Sequence, residues 1–224
     1  EVVLGYDEQQ AKTEAGRCLD CDRYCSICVG VCPNLALQTW QTRPFEKRLP
    51  ALEAGPGGIR VSTGEPWSVK QAFQIAVLTD FCNECGNCTT FCPTAGEPYR
   101  DKPRLYLDKA EFEVQTDNAF MVFNTDGQWA MDARWDKQTH RIELNGHLDY
   151  QGPLFKARLH METFEIEQIE ALADLEESDT LSLEPCASMY VLLDGLRRSL
   201  PHTPSALPTG DAAAGKVAHP GYAE

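Results

Sequence analysis

The sequence predicts an α+β chain in which a cysteine-rich module is followed by a small antiparallel β meander and two helices. Three observations carry that expectation. Nine of the ten cysteines fall in two dense runs, Cys18 to Cys32 and Cys82 to Cys92. From Phe120 to Leu159 the chain is rich in β-branched and aromatic residues, with Asp126-Gly127 and Asn145-Gly146 as two-residue hairpin signals. Near the C-terminal end, two stretches repeat their apolar residues at helical spacing.

Taken in order, residues 1–17 read as a lead-in helix or linker. Asp7 is followed three residues later by Gln10, a capping-box pattern, and Ala11 and Ala15 share a face. The chain starts at Glu1 without an initiator Met, and its first residues read as the middle of a domain, so it is expected to be a fragment or a processed subunit. The cysteine module spans 18–108. Within it, the stretch from about 34 to 70 contains Gly55-Pro56-Gly57-Gly58 and several prolines, which predicts a long surface insertion. Phe73 to Leu78 predicts a strand feeding the second run.

The meander is expected over 109–160 and a helical extension over 161–200. From Thr163 to Glu177, Ile166, Ile169, Leu172 and Ala173 recur at helical spacing among Glu and Asp residues, which predicts an acidic amphipathic helix. A second helix is expected to start near Pro185 and to carry Cys186, Met189, Tyr190, Leu193 and Leu196 on one side, with Arg197 and Arg198 in its last turn. The Pro, Ala and Gly content of 201–224 predicts a flexible tail.

Composition removes several function classes. The formal net charge is −14 and the basic residues are scattered, so there is no Lys/Arg stripe to neutralise phosphates, and nucleic acid is not an expected partner. No apolar run approaches the roughly 18 to 20 residues of a membrane helix, and the N-terminal residues lack the order of a signal peptide, so a cytoplasmic location is expected. Disulfide frameworks spread their cysteines through the fold. Clustering at intervals of two or three residues points instead to metal ligation.

The second run, Cys82-Asn83-Glu84-Cys85-Gly86-Asn87-Cys88-Thr89-Thr90-Phe91-Cys92-Pro93, is C-x2-C-x2-C-x3-C-P. Three thiolates at these intervals can wrap three corners of one cubane, while the fourth, on a nascent helical turn, points away and suits a different cluster. Gly86 would let backbone amides approach the cluster sulfurs. The first run has the same ending, Cys25-x2-Cys28-x3-Cys32-Pro33, but the interval from Cys21 to Cys25 is one residue longer and Cys18 is extra. A zinc knuckle would pair two C-x2-C units across a longer loop, which is not the spacing here.

Paired runs of this kind resemble the bacterial-type two-cluster ferredoxin, in which each run lends its last cysteine to the cluster of the other. The resemblance implies a ferredoxin-like module with two 4Fe-4S clusters, one on Cys21, Cys25, Cys28 and Cys92, the other on Cys82, Cys85, Cys88 and Cys32. Cys18 is left open: it replaces Cys21, ligates a cluster in a neighbouring domain, or is a bystander. Arg17 and Arg23, near the first cluster, would favour its reduced and more negative state.

A closer likeness lies in the surrounding residues. Glu1 to Tyr6 with Glu14-Ala15-Gly16-Arg17-Cys18-Leu19-Asp20-Cys21 resembles the segment joining iron–sulfur regions to flavoproteins of the glutamate-synthase-small-subunit type. Cys82 to Cys88 with Phe91-Cys92-Pro93 and Pro98-Tyr99-Arg100-Asp101-Lys102 resembles the C-terminal iron–sulfur region of the family labelled putative selenate reductase. The likeness covers roughly residues 1 to 150. It implies FAD and NAD(P)H on a partner or preceding flavoprotein unit, with a molybdenum-type oxidoreductase subunit alongside.

Other candidate residues read as structural. The chain has no GxGxxG, and Gly55-Pro56-Gly57-Gly58 is a loop breaker. His140, His147, His160, His202 and His219 show no metal-ligand spacing, and Cys186 falls on the apolar side of its helix. The acidic 163–177 helix is a solvated face or a docking face for a basic partner. The expected role is a relay of single electrons within a larger oxidoreductase, with no catalytic residue in this chain. The alternative is a structural or redox-sensing iron–sulfur docking module.

Overall fold

The computed structural model describes residues 5–15, 25–55, 57–176 and 178–200. Helix α1 (Glu8–Ala15) opens on a reciprocal cap: the Asp7 N–H donates to Gln10 Oε1 at 3.0 Å, and the Gln10 N–H donates to Asp7 Oδ1 at 2.8 Å. After the short α2 (Ile27–Gly30) come strands β1 (Leu37–Gln41), β2 (Phe45–Arg48), β3 (Ala51–Gly55), β4 (Gly58–Ser62), β5 (Pro66–Val69) and β6 (Phe73–Leu78). Two more short helices, α3 (Asn87–Thr90) and α4 (Pro98–Asp101), lead to β7 (Arg104–Leu105) and α5 (Lys109–Glu113). The remainder is β8 (Ala119–Thr125), β9 (Gln128–Trp135), β10 (Gln138–Leu144), β11 (Leu148–Gln151), β12 (Phe155–Leu159), β13 (Ile166–Ala171) and α6 (Glu184–Ser199).

Nine strands form one sheet in the order β1-β6-β7-β8-β9-β10-β11-β12-β13, with β7 parallel to both neighbours and every other pair antiparallel. This overturns the expected ferredoxin-like two-cluster domain followed by a small meander and two helices. The physical link is β7: Leu78, Leu105 and Phe120 lie side by side in its register and enter the same core as Met131 and Ile142. A strand left unpaired at that point would expose a row of backbone donors and acceptors.

The meander turns where the local chemistry allows a positive φ. Asp126 and Gly127 have φ of 52° and 85° between paired Thr125 and Gln128, a tight two-residue hairpin. At the second signal the loop is three residues, Asn145 to His147, with Gly146 at φ 89°. Asp136 and Lys137, both at positive φ, make a further two-residue turn.

The predicted acidic helix over 163–177 is instead the edge strand β13. Its register against β12 slips between Arg158 and Leu159, so that Gln168 faces Arg158, Ile166 faces Leu159, and Glu167 is the extra residue. A bulge breaks the two-residue alternation, so Ile166 and Ile169, three apart, both pack against the core. The acidic residues are paired rather than arrayed on a helix: Glu167 lies 2.9 Å from His147 Nδ1, and Glu170 lies 2.9 Å from Lys156 Nζ.

The stretch read as a surface insertion is a folded ribbon of two stacked hairpins, β2 with β5 and β3 with β4. Its apolar side is part of the main core. Phe45 meets Trp67 and Phe164 edge to face, with ring centroids 5.4 and 5.0 Å apart. Helix α6 crosses β1, β9 and β10 and buries Cys186, Met189, Leu193 and Leu196 on the sheet, with Tyr190 half-buried beside them. In its last turns Asp194 accepts from both Arg197 and Arg198, at 2.6 and 2.9 Å. The tail over 201–224 lies outside the described residues.

Helix α6 approaches β1 closely at Gly195, where an added Cβ would overlap the Trp40 ring and sit 3.1 Å from the Gln41 carbonyl. Gly195→Ala is expected to destabilise the chain by about 1–3 kcal/mol through overpacking, read as a lower urea midpoint with unchanged m-value. Within the core, His140 is 4% exposed and its Nδ1 lies 2.9 Å from the Tyr150 hydroxyl. Burial holds the imidazole below its ordinary pKa of 6.5, so the folded chain keeps it neutral where the unfolded chain takes up a proton. Its contribution is therefore whole above about pH 6.5 and declines as the pH falls below it. Urea midpoints at pH 7.5 and 5.5 are expected to show this loss, and His140→Gln to lessen it.

Candidate functional site

From the central cysteine to the closing turn, the two cysteine loops repeat one another sixty residues apart. In each, a single helical turn, α2 or α3, carries the central cysteine, and Cys28 and Cys88 are both 6% exposed. In each the chain then closes a turn, with Leu35 N–H donating to the Cys32 carbonyl at 3.3 Å and Ala95 N–H donating to the Cys92 carbonyl at 3.2 Å. The closing residue takes a left-handed conformation in both, φ 55° at Leu35 and 54° at Ala95. That turn aims the next amide back at sulfur: Ala36 N–H donates to Cys32 Sγ, and Gly96 N–H to Cys92 Sγ, both at 3.3 Å.

Strands β1 and β6 set the loops together. They pair antiparallel from Leu37 with Val77 to Gln41 with Phe73, and Leu37, Ile75 and Val77 form a small apolar cluster with Cys28 and Cys88. Gly86 starts α3 with φ 80°, a left-handed conformation that disfavours any Cβ. Among the described residues, none beyond its chain neighbours comes within 4 Å of the place where its Cβ would be, so conformation, more than crowding, calls for glycine here.

The thiols gather into two cavities, each drawing on both runs. One is lined by Cys82, Cys85 and Cys88 of the second run together with Cys32 of the first. The other is lined by Cys25 and Cys28 of the first run with Cys92 of the second, between Phe73, Ile75 and Pro98. Cys18, Cys21, Arg17 and Arg23 lie outside the described residues. Thiol environments differ around these cavities. Burial pushes the Cys28 and Cys82 thiols up, against the N–H groups of Val29 and Glu84, while the Thr94 hydroxyl and the amides of Thr94 and Gly96 hold Cys92 down.

Four thiols line one cavity and three the other, and thiolates are the donors that iron–sulfur clusters take. Among the described residues no three His, Cys, Asp or Glu side chains converge closely enough to hold one metal ion. The thiols instead stand around the walls of each cavity, and a cubane takes one thiolate per corner. Such a group would be held by Cys82, Cys85, Cys88 and Cys32 in one cavity, and by Cys25, Cys28 and Cys92 in the other.

Away from the cavities, the remaining candidates sit in structural settings. His140 is in the core, and His160 Nδ1 accepts from the amides of Glu162 and Thr163 at 3.3 Å. His202 and His219 are outside the described residues. Cys186 is fully buried on α6, where burial pushes its thiol well up. Sequence reasoning gave no site role to Thr94, Tyr99 or Lys102, which line the cavities. They follow the second run with no ligand spacing of their own, and only the turn after Cys92 brings them round.

No protein-family profile matches the chain, and no solved structure does. The curated proteins it resembles are described as oxidoreductases. They are "Putative oxidoreductase YgfK" of Escherichia coli strain K12 and its namesake in strain O157:H7, each 35% identical over 123 residues. Those residues are 54% of this chain and 10% of the relative, so the match takes in about a tenth of the length of these relatives. Among the described residues no helix is long and apolar enough to cross a membrane.

Proposed function

We propose that this chain holds two 4Fe-4S clusters, one on Cys21, Cys25, Cys28 and Cys92 and one on Cys82, Cys85, Cys88 and Cys32. In this reading it relays single electrons between a flavin- and NAD(P)H-binding unit and another redox centre of a larger oxidoreductase. The observation that carries it is the exchange of cysteines: each cavity takes its last thiol, Cys32 or Cys92, from the other run. Neither run closes a cavity without its partner.

Bound clusters would supply reversible one-electron chemistry, with potentials set by thiolates, amide contacts and burial. The chain's own residues serve that end. The amides of Ala36 and Gly96 point at Cys32 and Cys92 and stabilise negative charge on sulfur. Leu37, Phe73 and Ile75 line the cavities with apolar surface and limit water. The oxidoreductase description and far greater length of the relatives support a parent protein that carries the flavin and nicotinamide sites elsewhere. A molybdenum-type subunit is the proposed further redox centre.

Anaerobically purified chain is expected to contain about eight iron and eight acid-labile sulfide. Cys32→Ser and Cys88→Ser are expected to deplete the same cluster, and Cys28→Ser and Cys92→Ser the other, as judged by EPR of the reduced protein. Single variants Cys18→Ser and Cys21→Ser assign the remaining ligand, since only the true one should lose a cluster. Clusters in the purified complex that fail to reduce and reoxidise in step with NAD(P)H turnover would rule out the relay.

A further inference from the structure

We infer that Lys102 makes the two cysteine cavities electrostatically unequal, so that the first electron taken up rests in the cavity of Cys25, Cys28 and Cys92. The inference deepens the cluster reading above and rests on it. Because the two runs end in the same turn, with the same amide-to-sulfur contact at 3.3 Å and central cysteines equally buried, the backbone treats the two sites alike from those cysteines onward. Among the described residues, side chains in the walls also separate them.

The walls differ in charge. Lys102 is half-buried and lines the cavity of Cys25, Cys28 and Cys92. It forms no ion pair with any described residue, and it shares the cavity wall with Cys28 from the first run and Cys92 from the second. Asp101 lines the same cavity, but it is exposed and its Oδ2 accepts the Glu97 N–H at 2.6 Å, at the start of α4. Among the described residues no cation lines the wall around Cys82, Cys85, Cys88 and Cys32, and the charged residue there is Glu84, which like Asp101 is exposed.

A cluster held at either site would gain one negative charge on accepting one electron. A cation in the wall favours that charge and an anion disfavours it, the more so where water is kept out. Lys102 therefore acts as a tuning residue beside one site, while Glu84 acts in the opposite sense beside the other. Position along the chain does not separate them, since each cavity contains residues of both runs.

The test is an EPR-monitored redox titration of the anaerobically purified chain. Lys102→Gln is expected to weaken one couple about tenfold in its reduction equilibrium, ~59 mV for one electron, and to move the other by less than a third of that. Lys102→Arg, which keeps the charge, should retain both wild-type couples. Cys88→Ser, which depletes the other cavity, should leave the Lys102-sensitive couple in place. Equal shifts of both couples, or a shift confined to the couple that Cys88→Ser abolishes, overturns the assignment. Two reducible clusters indifferent to Lys102 would remove this inference and leave the cluster reading standing, whereas absence of iron and sulfide from the wild-type chain would bring down both.

Discussion

Strand β1 pairs with β6 across the whole excursion from Thr42 to Ala72, and that pairing supports both the sheet and the cysteine cavities. Its long-range ladder costs loop-closure entropy that local contacts cannot return. The return comes from burial on both sides. On one face Leu37, Ile75 and Val77 pack under Cys28 and Cys88, and on the other Trp40 and Ala76 join the main core beneath α6. Once β6 is fixed, its parallel pairing with β7 carries the ladder into β8, and the cysteine segment becomes one end of the nine-stranded sheet.

The ribbon of β2 to β5 uses the same excursion to build core rather than to escape from it. Its glycines and prolines turn the chain, as their chemistry suggests, but Phe45 ties the ribbon to Phe164 and Tyr190, more than a hundred positions along the chain. Composition alone does not reveal such a tie, because a loop-like sequence and a strand ribbon share their turn residues. The edge strand β13 makes the same point about periodicity. Three-residue spacing of Ile166 and Ile169 belongs equally to a helix and to a bulged strand, and only pairing with β12 decides between them.

Where a signal is local, sequence and structure agree closely. The Asp7–Gln10 cap, the Asp126-Gly127 turn and the apolar side of α6 depend on residues within a few positions of one another. The cavities occupy an intermediate place. The spacing of each cysteine run is local and readable, whereas the neighbours that give each cavity its charge, Lys102 in one and Glu84 in the other, have no pattern that marks them.

By itself, the sequence determined the ending that the two cysteine runs share, because a turn of helix followed by a proline is set by contacts within about a dozen residues. It also determined the hairpins of the meander and the helix at Glu184–Ser199 for the same reason. Tertiary structure alone decided that the loops would face each other at the end of a single mixed sheet, and which side chains would stand around each group of thiols. Those outcomes depend on pairings between separate segments, Leu37 with Val77 and Leu78 with Leu105 among them, whose free energy comes from shared burial and is not encoded in any one segment.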